Sequence, residues 1–288
     1  MKYAVIDEHR SEFPVKALCL ALEVGRSGYY AFKAAPPSLR SREDLAMRQE
    51  IVKIHMRHRS APGILKTWRL LNIAGIRCGK HRVARLRKLE GIQTVRATRF
   101  RAIKAKERVL PPAPDLVKRA FNVGAPNQVW VGDMTVLRTK EGFLHLAVVL
   151  DLFARRVVGW STDTRQAATL PMAALSMAME QRRPAPGIIF HSDQGSVYGC
   201  ADYRNLLAKH GALPSMSRKG NCWDNAVAES FFSNLKNETM HRQLFSTRAE
   251  ALGVVRDYIE VYYNRMRLHQ TLGYQTPASF EAQFRVLH

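Results

Sequence analysis

Asp133, Asp193 and Glu229 are the residues of this 288-residue chain whose types and settings could carry out chemistry. Asp133 interrupts QVWVGDMTVL, which otherwise reads as an apolar strand, and an ionised carboxylate is costly to bury there without a cation beside it. Asp193 follows GIIFHS, at the carboxyl end of a second strand-like run, where α/β folds place their sites. Gly195, two residues on, lets the backbone turn close to a ligand. Glu229 falls in the first two turns of a helix that Asp224 and Asn225 are placed to cap. Three carboxylates drawn from two strands and a helix suit hard divalent cations such as Mg²⁺ or Mn²⁺. Two such ions, about 3.5–4 Å apart, can activate an attacking oxygen and stabilise a leaving one in phosphoryl transfer. Taken singly, each acid also has a structural reading: a hydrogen-bonded core aspartate, a strand-end turn residue and a solvated helical glutamate.

Other constellations are weaker. His55 and His58 make an HxxH spacing on a helix-like stretch, but no Cys or acidic partner completes it, and a solvated basic helix is the better reading. Cys19, Cys78, Cys200 and Cys222 lie far apart with no CxxC pair, so reduced thiols are expected rather than a disulfide framework or a zinc site.

Charge says more about the partner. The chain has 45 Lys+Arg against 24 Asp+Glu, a formal net charge of +21. A polyanion is the first expectation, and duplex DNA the first candidate. Anionic membrane surfaces are the competing partner. No apolar run approaches the roughly 18–20 residues of a spanning helix. Asp7, Glu8, His9 and Arg10 interrupt any secretory core at the amino terminus, so a cytoplasmic location is expected.

The elements that must position the three acids divide the chain. Residues 1–125 carry 27 basic and 10 acidic residues, and residues 126–288 carry 18 and 14. Residues 1–108 are expected to be a helical, basic DNA-binding region, helix-turn-helix-like around residues 42–90. Gly75–Gly79 makes a turn before the helical run His81–Leu89, where Arg82, Arg85, Arg87 and Lys88 surround Val83, Leu86 and Leu89. A small bundle with a solvated basic face is the alternative. Residues 109–125, broken by Pro111, Pro112 and Pro114, read as a linker. From residue 126 the pattern changes. Gln128–Leu137, Phe143–Leu150 and Arg155–Ser161 are short β-rich runs separated by polar turns. A helix at Gln166–Gln181, a strand at Gly187–His191, a helix at Ala201–Lys209, a short run at Ala212–Ser215 and long helices at Asp224–Met240 and Arg248–Arg267 follow. A three-strand meander followed by alternating strands and helices implies an α/β fold: a ribonuclease-H-like mixed sheet with helices on both faces.

Thirty-five residues separate Asp193 from Glu229, and here the second half resembles the catalytic core of transposases of the insertion-sequence-three family (the OrfB-type product). These are related to retroviral integrases through a D,D(35)E motif. The resemblance is carried by VWVGDMT, LHLAVVLDLFARRVVGW, IIFHSDQGSVY, SMSRKGNCWDNAVAESFFSNLKNE and YIEVYYNRMRLHQTLGYQTPASF, in the family's order and spacing over roughly residues 126–282. FPVKALCLALEVGRSGYYAF and KHRVARLRKLEGI extend it less specifically toward the amino terminus. APGILKTWRLLN departs from the family, which usually shows a Tyr-Gly and a paired basic dipeptide there.

The resemblance implies that Asp133, Asp193 and Glu229 are catalytic metal ligands, for two Mg²⁺ or Mn²⁺ ions. It implies that Lys236, the basic residue seven positions after the glutamate, holds DNA phosphate beside them. It further implies release of a 3′-hydroxyl at an element end and attack of that hydroxyl on target DNA, with no covalent protein intermediate. A homo-oligomer on DNA and a separate or fused OrfA partner are implied as well. The glycine loop Ser217–Asn221 is placed to shape the substrate, with Arg218, Lys219 and Asn221 as candidate DNA contacts. Trp223 reads as a core anchor or a stacking platform, and Asp151 as a turn residue rather than a fourth ligand. Glu238, nine residues beyond Glu229 on the same helix, is expected to point away from the site and to be dispensable. Tyr262, Tyr263, Asn264, Arg265, Arg267 and His269 fit either DNA contact or helix packing. Two rival functions share the fold: a catalytically silent DNA-binding regulator, and a structure-selective nuclease without a joining step.

Overall fold

A computed structural model provides the structure of the chain and describes residues 2–36, 38–94, 111–118, 120, 122–217, 225–240 and 244–287. Two compact units divide at Glu50 and Ile51, inside helix α4 (Leu39–Arg57), whereas the sequence reading drew its boundary at residues 109–125. The first unit holds α1 (Lys2–His9), α2 (Val15–Ala21) and α3 (Arg26–Ala34) around a small core of Ile6, Cys19 and Tyr29. Tyr29 Oη donates to Asp7 Oδ1 at 2.9 Å, which ties α3 to α1.

In the second unit α5 (Ile64–Ile73) and α6 (Lys80–Leu89) pack through Leu71, Val83 and Leu86, all fully buried. The turn between them depends on Gly75, whose φ of +83° lies in the left-handed region that glycine adopts without strain. Trp68 Nε1 closes the turn by donating to the Cys78 carbonyl at 2.7 Å.

Five strands form one mixed sheet: β1 (Val129–Thr139), β2 (Gly142–Asp151), β3 (Arg156–Asp163), β4 (Ile189–Ser192) and β5 (Leu213–Met216). Their order is β3-β2-β1-β4-β5, with β1–β3 an antiparallel meander and β4 and β5 parallel to β1. This is the ribonuclease-H-like α/β arrangement that the sequence implies. Side chains alternate across a strand. Leu144, Leu146, Val148 and Leu150 therefore join Val131 and Leu137 on one face, under α10 (Ala226–Glu238), α11 (Arg248–Asp257) and the π-helical turn Tyr258–Tyr263. Ala147, Val149 and Trp130 point to the other face, against α7 (Thr169–Arg182), Phe190, Tyr198 and Tyr203. The latter two lie on the single turn α8 (Ser196–Gly199) and on α9 (Ala201–Lys209).

One long helix was expected over Arg248–Arg267; it is α11 followed by the π-turn. The final helix α12 (Pro277–Leu287) was not anticipated. Its Phe280 and Phe284 rings stand 5.1 and 5.0 Å from Phe153. Its Glu281 accepts from Arg182 Nη1 at 2.5 Å and Arg156 Nη1 at 3.1 Å. Asp151, fully buried, accepts from the backbone N–H groups of Asn127 and Phe153 at 2.7 and 2.9 Å and meets Arg182 Nη2 at 3.4 Å. It fastens a turn, in line with its sequence reading.

Gly159 shows how closely α7 lies on the sheet. A Cβ there would stand 2.2 Å from the Ala174 carbonyl oxygen and 2.8 Å from Ala178 Cβ. Backbone cannot swing aside as a flexible side chain can, so α7 has to lift. Gly159→Val is expected to cost about 3 kcal/mol, at the upper end for overpacking. A melting temperature equal to that of the wild type would show that α7 does not press on β3.

Candidate active site

Asp133 lies two residues beyond Val131 on β1 and so shares the face that α10 covers. Asp193 follows β4 directly, on the strand that runs parallel beside β1. Glu229 stands in the first turn of α10, with Lys236 in its last. Two adjacent parallel strands and the helix packed over them thus bring four charged groups to one region. The coupling is visible in the acids themselves. Burial, then the neighbouring Asp193 charge and, more weakly, Glu229, push the Asp133 carboxyl up to about 8. The Met134 N–H, donated to Asp133 Oδ1 at 2.7 Å, and the Lys236 ammonium pull the other way. Desolvation raises Asp193 against the pull of the Gly195 N–H, which is donated to Asp193 Oδ1 at 2.9 Å, and desolvation raises Glu229.

Asp193 and Glu229 are at the surface, Asp133 is half-buried and Lys236 is buried. Burial lowers the Lys236 pKa and Asp133 raises it, so this ammonium is a neighbour of the central acid rather than a surface group. Gly195 has a local reason: a Cβ there would lie 2.9 Å from Asp193 Oδ1, crowding the N–H contact that fixes the carboxylate. Among the described residues, no three His, Cys, Asp or Glu side chains are close enough to hold a metal ion. The acids are gathered but not closed.

A carboxyl with a folded pKa near 8 and an unfolded value of 3.8 opposes folding once the pH exceeds its unfolded value. That penalty is absent below about pH 4, grows through the window up to about pH 8 and is then constant. Metal-free protein carrying Asp133→Asn is therefore expected to melt above the wild type at pH 8 and close to it at pH 4. A lower melting temperature for the variant at pH 8 would contradict the burial and repulsion just described.

Several sequence expectations resolve differently. Arg87 was grouped with the DNA-facing cations but is buried, its Nη1 donating to Thr67 Oγ1 at 2.7 Å and its Nη2 to Thr94 Oγ1 at 3.4 Å. It joins α6 to α5 because its helical phase places it beside Val83 and Leu86. Arg85 and Lys88 are exposed on α6, and Arg82 is half-buried. Glu238 is neither solvated nor idle: its carboxylate receives Arg267 Nε and Nη2 at 2.9–3.1 Å and the Tyr258 hydroxyl at 2.9 Å. Tyr262, Tyr263, Asn264, Arg267 and His269 are buried, which decides for packing, while Arg265 is exposed. Asn225 occupies the amino-terminal cap of α10, but its side chain makes no capping bond. Arg218, Lys219, Asn221, Trp223 and Asp224 lie outside the described residues.

Tyr198 is the residue that sequence reasoning missed. It is buried, its hydroxyl has no hydrogen-bond partner among the described residues, and it adjoins the acids: burial raises its pKa, with Tyr203, Asp133 and Asp193 adding to the rise. Its position five residues after Asp193, on a turn following the strand, was the available signal.

The integrase core domain family matches residues 124–222, a second integrase core domain family matches residues 210–277, and an HTH-like domain family matches residues 41–100. The chain is 41% identical over 267 residues to the "Insertion element IS600 uncharacterized 31 kDa protein" of Shigella sonnei, covering 93% of this chain and 98% of that one. It is 37% identical over 283 residues to the "Transposase InsF for insertion sequence IS3A" of Escherichia coli (strain K12), covering 98% of each. A solved structure, that of the HTLV-2 integrase catalytic core domain in complex with magnesium (dimeric form), is similar over 55% of this chain and 98% of that one, with 14% identity and a TM-score of 0.44.

Proposed function

Because the chain belongs to the transposases of the insertion-sequence-three family and carries an integrase core, we propose that Asp133, Asp193 and Glu229 are its catalytic acids. The chain is a DDE-type polynucleotidyl transferase that cleaves and joins DNA strands. The observation that favours these three residues is the rise of the Asp133 carboxyl to about 8, which burial and the other two acids cause together. Such mutual repulsion in an oxygen-only donor set fits a hard divalent cation, Mg²⁺ or Mn²⁺, and we propose two ions. Bound there, the cations supply an activated oxygen nucleophile at neutral pH and neutralise charge on the leaving oxygen.

The chain's own residues do the rest. The Met134 and Gly195 N–H groups hold one oxygen each of Asp133 and Asp193, which orients both carboxylates. The Lys236 ammonium offsets part of the negative charge beside Asp133. Arg82, Arg85 and Lys88 on α6 grip DNA phosphates, and Arg218, Lys219 and Asn221 line the substrate strand. Residues 1–108 bind DNA, 109–125 connect, and 126–288 catalyse, acting as a homo-oligomer on element ends and target DNA with an OrfA partner or fusion. The working place is the bacterial cytoplasm, where such DNA lies. Among the described residues no helix is long and apolar enough to cross a membrane.

The decisive experiment offers the full chain a duplex whose element end is already cut to a 3′-hydroxyl, with Mg²⁺ or Mn²⁺. Joined products are expected, and they disappear in excess EDTA. Cleavage of intact ends without joining would favour the structure-selective nuclease, and undiminished reaction in EDTA would overturn the metal-dependent reading.

A further inference from the structure

A cavity of about 380 Å³ opens between the start of α5 and α10, lined among others by Gly63, Lys66, Asn234, Asn237, Arg267 and Gln270. Gly63 caps α5 with no side-chain hydrogen bond, so the N–H groups of Ile64, Leu65 and Lys66 have no partner within the helix. Gly63, Ile64, Leu65 and Lys66 all line the cavity, which therefore lies at the positive end of the helix dipole. The one acid among the lining residues, Glu238, is taken up by Arg267 and Tyr258, so its charge is already balanced within the wall. The side-chain amides of Asn234 and Gln270 also lie on the wall.

We propose that this cavity is a seat for a backbone phosphate of the bound DNA, outside the position that is cut. The proposal rests on the reading of the chain as a DNA-acting enzyme. A seat built of helix N–H groups, an ammonium, a guanidinium and side-chain amides selects a phosphate oxyanion over a cation or an apolar group. Burial, then repulsion from Arg267, bring the Lys66 ammonium down to about 8 against the pull of Glu238, so an anion beside it would favour its charged form. On α10, Asn234 and Asn237 are turned roughly 140° and 80° from Glu229 at 3.6 residues per turn, so the seat faces the flank of the helix. The phosphate it takes belongs to a neighbouring stretch of duplex.

Two variants test the seat in the full chain. Gly63→Asp needs no strained backbone, since φ is −77° and a Cβ meets nothing nearer than Thr94 Oγ1 at 3.8 Å. Its carboxylate caps α5, stabilising the helix while filling the seat with the protein's own anion. Lys66→Met keeps the apolar stem and removes the charge. Duplex oligonucleotide affinity, measured without metal by fluorescence anisotropy across a salt series, is expected to fall about tenfold in each variant. The salt slope should drop by about one for Lys66→Met. Gly63→Asp should melt no lower than the wild type. Wild-type affinity and slope in both variants would overturn the proposal. Unchanged duplex affinity with loss of thermal stabilisation by inorganic phosphate would assign the seat to free phosphate and overturn its DNA ligand. A wild-type chain with no duplex affinity would overturn the reading beneath it.

Discussion

Asp133→Asn, Asp193→Asn and Glu229→Gln are each expected to lower strand cleavage and joining by on the order of 10³-fold or more. Each change keeps the shape of the side chain and removes one negative charge from the donor set. A ligand that orients cations for both the attacking and the leaving oxygen cannot become a neutral amide without losing several kcal/mol of transition-state stabilisation. About 1.4 kcal/mol is tenfold in rate. The triple variant should be little worse than any single one, because residues that act as a unit are not additive. Duplex affinity without metal should hold or rise, since a carboxylate that repels phosphate has gone. Metal-free Asp133→Asn should also be the more heat-stable at pH 8, so inactivity cannot be put down to unfolding. Glu180→Gln, an exposed acid on α7, serves as the control and should keep full activity. Near-normal cleavage and joining by any one of the three variants would remove that residue from the catalytic set.

Glu238→Ala is expected to destabilise the second unit by about 3–5 kcal/mol. Removing one member of a buried ion pair leaves the other as an uncompensated buried charge, and the loss comes mainly from that. Arg267 is 7% exposed, its acidic partner among the described residues is the Glu238 carboxylate, and the Tyr258 hydroxyl loses its acceptor in the same step. For a unit of this size each kcal/mol moves the melting temperature by roughly 2–4 °C, so a fall of roughly 6–20 °C is anticipated. Glu238→Gln retains an acceptor and should fall between the wild type and Ala. A Glu238→Ala protein that melts with the wild type would show that the pair is solvated. The same measurement separates this residue from the catalytic acids: Glu238 variants should lose stability first, and the triad variants should lose activity without losing stability.

The strands and the two aspartates were legible because their signals are local. Period-two apolar runs over Phe143–Leu150 and around Asp133 specify strands with one face each to a core, and a break followed by Gly195 marks the end of β4. Asp193 at that end and Glu229 with thirty-five residues between them are properties of the chain alone, as is the family likeness that runs through them. The excess of cations before residue 126 likewise needs no coordinates.

Tertiary structure decided the fate of the helical side chains. A helix's sequence gives the angle of each residue about the axis, but not what covers that angle. Glu238 does lie half a turn from Glu229, as its spacing requires, yet that side of α10 is closed by Tyr258 and Arg267. Arg87 follows the same rule between α6 and α5, and Lys236 the same rule beside Asp133. Tyr198 could be placed near the acids only once β4 lay parallel to β1. Each of these residues has its chemistry set by partners distant in the chain, through burial that strips water from a charge and through the single neighbour that replaces it.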